Sequence, residues 1–432
     1  ASVSNTAVKV SNESNIGGNV EGDHVSAYSG DVIAEGERSV SVSDSTVGGY
    51  IQGLYMTTNN GNASAQGGSV SVSETTVEGA ITGFSLSATG GDAIAQGGSV
   101  SVLNNSTVGG SITGSSTAVA GTTSADSRAS GNTLTIENSK VGSYVYGGLA
   151  MNGSDGIAEA SGNTLDLKNV NALSLIMPSF AQNNGSGKAV AEGNTVTSQG
   201  GTYSGGIYGS YAYAARSTAT AGGNTITLRG GTHDGSILGS YAYAAGNTSA
   251  AQSNAVTESA TAGDATIRRN TAIAEGNTVT LQDGTYSGSI FGSYAYAAGS
   301  AAAAGGNTVT LQGDDVFGGG SPSFSAQATV IWGSYALGGN QMYAPASPNT
   351  LNVIDAKGMT AANISNFSIL KYTLPNMISQ ESVLSLTGGP DKKIPISPTL
   401  PSALLSPTSG AGTAVNSGST ATRVPKTTGS FC

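Results

Sequence analysis

One phrase, Gly-Asn-Thr followed by an aliphatic residue, returns along the chain and sets a period. It reads GNTLTI from Gly131, GNTLDL from Gly162, GNTVTS from Gly193, GNTITL from Gly223, and GNTVTL from Gly276 and Gly306. Earlier units carry RSVSVS from Arg38 and GSVSV from Gly68 and Gly98. The first aliphatic residue of each unit is Val40, Val70, Val100, Leu134, Leu165, Val196, Ile226, Val279, Val309 and Leu351, and most steps between them are 30 to 34 residues. Two steps are longer, Ile226 to Val279 and Val309 to Leu351, and each absorbs an insertion. A regular interval of this size means equivalent layers: one short unit per period cannot bury its apolar face alone, and stacking on its neighbours does so.

Two further markers keep the same register. A Val or Ile stands 11 residues after the first aliphatic at Ile51, Ile81, Val145, Ile176, Ile207, Ile237 and Ile290. An Ala-x-Ala pair precedes the units, as in ASAQGG, AIAQGG, AVAEGN and AIAEGN. Each repeat therefore has three alternating segments: V-x-V/L, then I-x-G-x-Y-x-Y, then A-x-A. Alternation with period two is the strand signature, and the Gly, Asn, Asp and Ser residues between segments suit turns. Three short strands and three turns per coil, stacked at about 4.8 Å, predict an all-β fold: a parallel β-solenoid, right-handed as parallel crossovers nearly always are, of about ten to eleven rungs. The Val and Leu of the first strand and the Ala pair of the third are expected to point inward, leaving a thin core. The repeats span 1–348, with insertions near 247–270 and 313–328. A C-terminal rung or cap is expected over 349–389, and a Pro/Ser/Thr-rich tail over 390–432 that reads as a linker or a disordered end.

Composition narrows the function classes. Charged residues make up 10% of the chain against roughly 25% in an average domain. The formal net charge is −10, which repels phosphate backbones and argues against a nucleic-acid partner. Cys432 is the single cysteine, so no internal disulfide holds the fold. No run approaches the roughly 18 apolar residues of a transmembrane helix.

Phrases of the form GNTVTLQ and GTYSGSI…GSYAYA, together with the passage NTLNVIDAKGMTAANISNFSILKYTLPNMISQESVLSLTGG at Asn349–Gly389, resemble the repeat-rich passenger domains of bacterial autotransporters. The resemblance covers roughly residues 6–389. It implies a β-helix exported through the inner membrane and displayed at the cell surface by a C-terminal β-barrel. The sequence departs from that pattern after Gly389, where no series of roughly ten-residue alternating strands follows.

The candidate site is the phrase GSYAYAA at Gly209–Ala215, Gly239–Ala245 and Gly292–Ala298, with GSYALGG at Gly333–Gly339. Strict alternation puts Tyr208, Ser210, Ala212 and Ala214 on one face and Ile207, Gly209, Tyr211 and Tyr213 on the other; a glycine turn within the strand would exchange the faces. Earlier units hold Ser85 and Ser87 where Tyr211 and Tyr213 lie, and a position that accepts Ser or Tyr belongs outside. Tyr211, Tyr241, Tyr294 and Tyr335, with Tyr213, Tyr243 and Tyr296 beside them, are thus expected to form an exposed ladder able to stack on glycans or a host surface protein. The alternative is that the stacked rings only brace the rod.

Catalytic material is sparse. Asp314 and Asp315, with Asp283 near the equivalent place one rung before, could serve a polysaccharide-cleaving β-helix, although such pairs in Gly-rich turns are usually just turns. Arg268 and Arg269 form an Arg pair inside the first insertion. His24 and His233 lie in different units, which leaves little for a metal cluster or a Ser-His-Asp triad. His233 replaces the Tyr of GTYSG (Tyr203, Tyr286) and reads as a surface substitution. Trp332 replaces Tyr208, Leu238 and Phe291 and reads as packing. No cofactor or metal is expected. The sequence reading is a non-enzymatic surface β-helix, secreted or held at the outer membrane, of adhesin-like or structural use. A carbohydrate-active enzyme and a self-assembling fibre subunit are the alternatives.

Overall fold

In the computed structural model the chain winds as a parallel β-solenoid. The residues described are 2–3, 5–121, 124–245, 271–298, 301–313, 323–324, 330–338, 341–342, 347–354, 359–373 and 384–386. The first expected insertion, with Arg268 and Arg269, lies outside them, as does the tail; of the second, 313 and 323–324 are described and Asp314 and Asp315 are not.

The earlier coils carry four strands, one more than the alternation suggests, and from Ile207 onward the third of these is split into two short strands. In one coil they are Ser69–Ser73, Thr76–Val77, Ile81–Thr89 and Ala93–Gln96. Their equivalents align into four sheets, here named for their residues: a Val sheet of twelve strands, a short sheet of ten, a Tyr sheet of sixteen and an Ala sheet of ten among the described residues. The extra sheet is the short one. Most of its strands have two residues, too few to show a period-two pattern, so the sequence hides it among the turns. A left-handed residue makes the corner before it: Asp44 (φ 49°), Asn138 (49°), Asn169 (51°) and Asp283 (49°), with Gly200 (68°) and Gly230 (65°) in two coils. Asn, Asp and Gly are the residues that accept this conformation most readily.

The register follows the repeat. Val40, Val70, Val100, Leu134, Leu165, Val196, Ile226, Val279, Val309 and Leu351 form one vertical column of the Val sheet. Ile226 and Val279 are direct partners although 53 residues separate them, so the first insertion leaves the stack undisturbed. The Ile markers share a second column, from Ile51 and Ile81 to Ile237 and Ile290. The C-terminal segment continues the stack: Thr350–Ile354 pairs below with Thr308–Gln312 and above with Ile369–Thr373.

The interior has two lobes. The larger is aliphatic, closed by the Val sheet, the short sheet and the first half of the Tyr sheet, with residues such as Leu165, Val141 and Ile176 fully buried. The smaller is lined by alanine: Ala219 and Ala221 of the Ala sheet face Ala212 and Ala214 of the Tyr sheet, and the pattern repeats up the rod. Two sheets bearing only methyl groups pack close, which is why this lobe is thin. In the first coils the same space holds Leu54, Met56, Phe84 and Leu86.

Between the lobes runs a polar seam. Asn132, Asn163, Asn194, Asn224, Asn277 and Asn307, the Asn of each GNT phrase, and Asn349 in the equivalent place of PNT are buried. They point inward rather than making the turn that asparagine usually signals. Asn277 shows the pattern. Its Nδ2 donates to Asn307 Oδ1 (2.9 Å) and to Ser240 Oγ (2.8 Å), and its backbone N donates to Asn307 Oδ1 (3.0 Å). Its own Oδ1 accepts from the backbone N and Nδ2 of Asn224 (3.2 and 3.1 Å). An amide buried in this way satisfies its donors and acceptors with copies of itself one coil away and with a buried serine, which offsets its desolvation; at Asn163 the Nδ2 turns instead to the Ala129 carbonyl and Ser179 Oγ.

Candidate functional site

The Tyr phrase begins at this seam. After Ile207 the strand turns inward twice, with Gly209 and Ser210 both buried. Ser210 Oγ accepts from Asn224 Nδ2 at 2.7 Å. Glycine is needed because the next coil is too close for a side chain: a Cβ on Gly53, one position of this column, would lie 2.6 Å from the Gly83 carbonyl oxygen. The double inward step exchanges the faces. Ile207, Ala212 and Ala214 point in, and Tyr208, Tyr211 and Tyr213 point out, so strict alternation fails at Gly209–Ser210.

The tyrosines then stack in columns along the axis. Phe180, Tyr211, Tyr241, Tyr294 and Tyr335 are in register, with ring centroids 5.1, 4.8, 4.8 and 4.9 Å apart and planes within 18° of parallel. Tyr213, Tyr243 and Tyr296 form a second column at 5.3 and 5.1 Å. A third column holds Tyr208, Leu238, Phe291 and Trp332. Trp332 lies parallel to Phe291 (6.2 Å) and edge-on to Tyr335 (5.5 Å), the packing role its place in the repeat suggests.

The ladder faces outward but is half-buried, not fully exposed. Each ring covers its neighbour's face, so a partner meets ring edges and hydroxyls. Burial, reinforced by neighbouring phenols, pushes the Tyr211 hydroxyl up to about 12 and raises those of Tyr241, Tyr243 and Tyr294. These four phenols stay neutral at physiological pH.

His24 stands at the N-terminal end of the same register and meets Tyr55 edge-on at 4.8 Å. Asp283 occupies a left-handed turn. Among the described residues no group of three or more His, Cys, Asp or Glu is placed to hold a metal ion, and no helix is long and apolar enough to cross a membrane.

His233 is not a surface substitution. It is 1% exposed and stacks between Tyr203 and Tyr286 inside the aliphatic lobe, at 4.8 and 5.0 Å. The reason is register: GTYSG and GTHDG place their third residue in the short sheet's inward column, where Val77, Val108 and Val141 lie earlier. The sequence signal existed in that shared offset and was masked by the polarity of the residue.

Comparison with family models, with curated proteins and with solved structures gives no match.

Proposed function

We propose that the chain is a non-enzymatic surface rod, adhesin-like or structural, whose working part is the aromatic band on the outer face of the Tyr sheet. The observation that carries this reading is the pair of in-register tyrosine columns from Tyr211 to Tyr335 and from Tyr213 to Tyr296, turned outward where earlier coils place Ser85 and Ser87. A row of phenol edges and hydroxyls at one-coil spacing offers many equivalent weak contacts, and their combined avidity exceeds that of any one. Hydroxyl-rich partners, glycans or glycosylated host-surface proteins, suit such a surface, since the ring faces are already occupied by one another. The resemblance to autotransporter passengers supports export and a place at the bacterial cell surface. Ser replacements at Tyr211, Tyr241 and Tyr294 together test the reading. Binding of the purified rod to glycan arrays and to host cells should fall at least tenfold with the circular dichroism spectrum intact; unchanged binding by a folded triple variant would overturn it.

A further inference from the structure

The buried column Tyr203–His233–Tyr286 contains one group that the proposed function does not use. Both tyrosines have their hydroxyls bonded: Tyr203 accepts from Ser198 Oγ (2.7 Å), and Tyr286 donates to the Asp283 carbonyl (2.8 Å). His233 Nε2 lies 3.1 Å from the Gly230 carbonyl, the acceptor in register with that of Asp283. A carbonyl can only accept, so Nε2 carries the proton and Nδ1 presents a lone pair. Nδ1 is buried and has no hydrogen-bond partner. Burial among apolar groups outweighs the two groups that favour a charge on the ring, the Gly230 carbonyl and Asp234. Tyr203 and Tyr286 cover the two ring faces, and Leu228, Ile237 and Leu281 belong to the same apolar cluster. The carboxylate that acts on the ring is Asp234, the next residue, whose exposed side chain points the other way; Arg229 is exposed on the neighbouring strand, and Asp283 lies at the turn above.

We propose that His233 is an acid-release point in the middle of the rod: protonation at Nδ1 places a charge and an unbonded N–H in the apolar lobe and opens the coil from Thr225 to Ala244, while distant coils stay stacked. Burial pushes the imidazole down to about 4 from its ordinary 6.5. Between these values the opened coil binds a proton that the closed coil refuses. Opening therefore becomes easier as pH falls from 6.5 and reaches its full extent below 4, by a few hundred-fold, roughly ten to the power of the shift. Stability in a solenoid is shared between neighbours, so one opened coil loses two interfaces and divides the stack.

Hydrogen exchange on the full chain tests this, with rates corrected for intrinsic pH dependence. Between pH 7 and pH 4, wild-type peptides from 225–244 should lose protection by about two orders of magnitude more than the same peptides in His233→Tyr, which installs the side chain of the coils on either side. Peptides around Val70 and Val100 should behave alike in both proteins. An equal pH response in wild type and variant overturns the proposal. Should His233→Tyr not fold, the imidazole can be titrated directly by NMR, since the chain has only two histidines and His24→Asn identifies the other. A folded-state titration of His233 near 6.5 overturns the proposal; one displaced well below it supports it.

Discussion

Asn277→Asp exchanges an N–H2 for an oxygen of nearly the same size, so it tests the polar seam without making a cavity. The carboxylate can still accept from the backbone N and Nδ2 of Asn224 (3.2 and 3.1 Å). It cannot donate to Ser240 Oγ or to Asn307 Oδ1, which lie 2.8 and 2.9 Å from the donor that is lost. An oxygen then faces the Asn307 oxygen, and a negative charge sits at a position 1% exposed. An uncompensated buried charge costs about 3–5 kcal/mol. Burial and the facing oxygens raise the carboxyl in the folded chain above its unfolded value of about 3.9. The folded state thus holds its proton to higher pH than the unfolded state. Protonation returns one donor, so the variant should approach wild type below about pH 4 and lose stability as pH rises through the raised folded value. The assay is chemical denaturation followed by circular dichroism at several pH values, read as the difference from wild type so that other titrating groups cancel. Hydrogen exchange at Thr225–Arg229 and Thr308–Gln312 should locate the loss in the adjoining coils, because a long repeat array need not unfold in two states. A deficit below about 0.5 kcal/mol at pH 8, or one of constant size across the pH range, would refute the account of the seam, since surface-like tolerance is of that order.

Two further outcomes follow from the packing. Gly239→Ala should destabilise by about 1–3 kcal/mol, as overpacked cores do, because its Cβ would run into the Gly292 carbonyl and come 2.7 Å from Asn277 Cβ; Gly18→Ala, with nothing within 4 Å, should leave the melting temperature unchanged. Similar losses for both would refute the contact. Tyr203 and Tyr211 hold their protons up to about 12 in the folded chain, against about 10 when unfolded, so the rod should lose stability as pH rises from 10 to 12. Phenolate absorbance should then rise together with loss of the β-sheet spectrum, and full ionisation in a still-folded rod would contradict the burial.

The sequence alone determined the stack. A period near thirty residues, three markers held in register and alternation within each marker were enough to place Val196, Ile226 and Val279 above one another and to turn the aliphatic and alanine residues inward. This works because in a solenoid the contact partner of a residue is its own counterpart one repeat away, so long-range contacts are written as a local rule. Three matters were decided only by the tertiary structure. The short sheet needed neighbours to exist at all, since two residues carry no alternation. The face on which the tyrosines lie was set by the double inward step at Gly209–Ser210, which depends on how close the next coil comes. The asparagines and His233 were read as turn and surface residues because polar side chains alone favour water; stacking placed each asparagine against an identical amide and His233 between two phenol rings. Burial of a polar group is a property of the company it keeps, and in this chain that company arrives only when the coils close on one another.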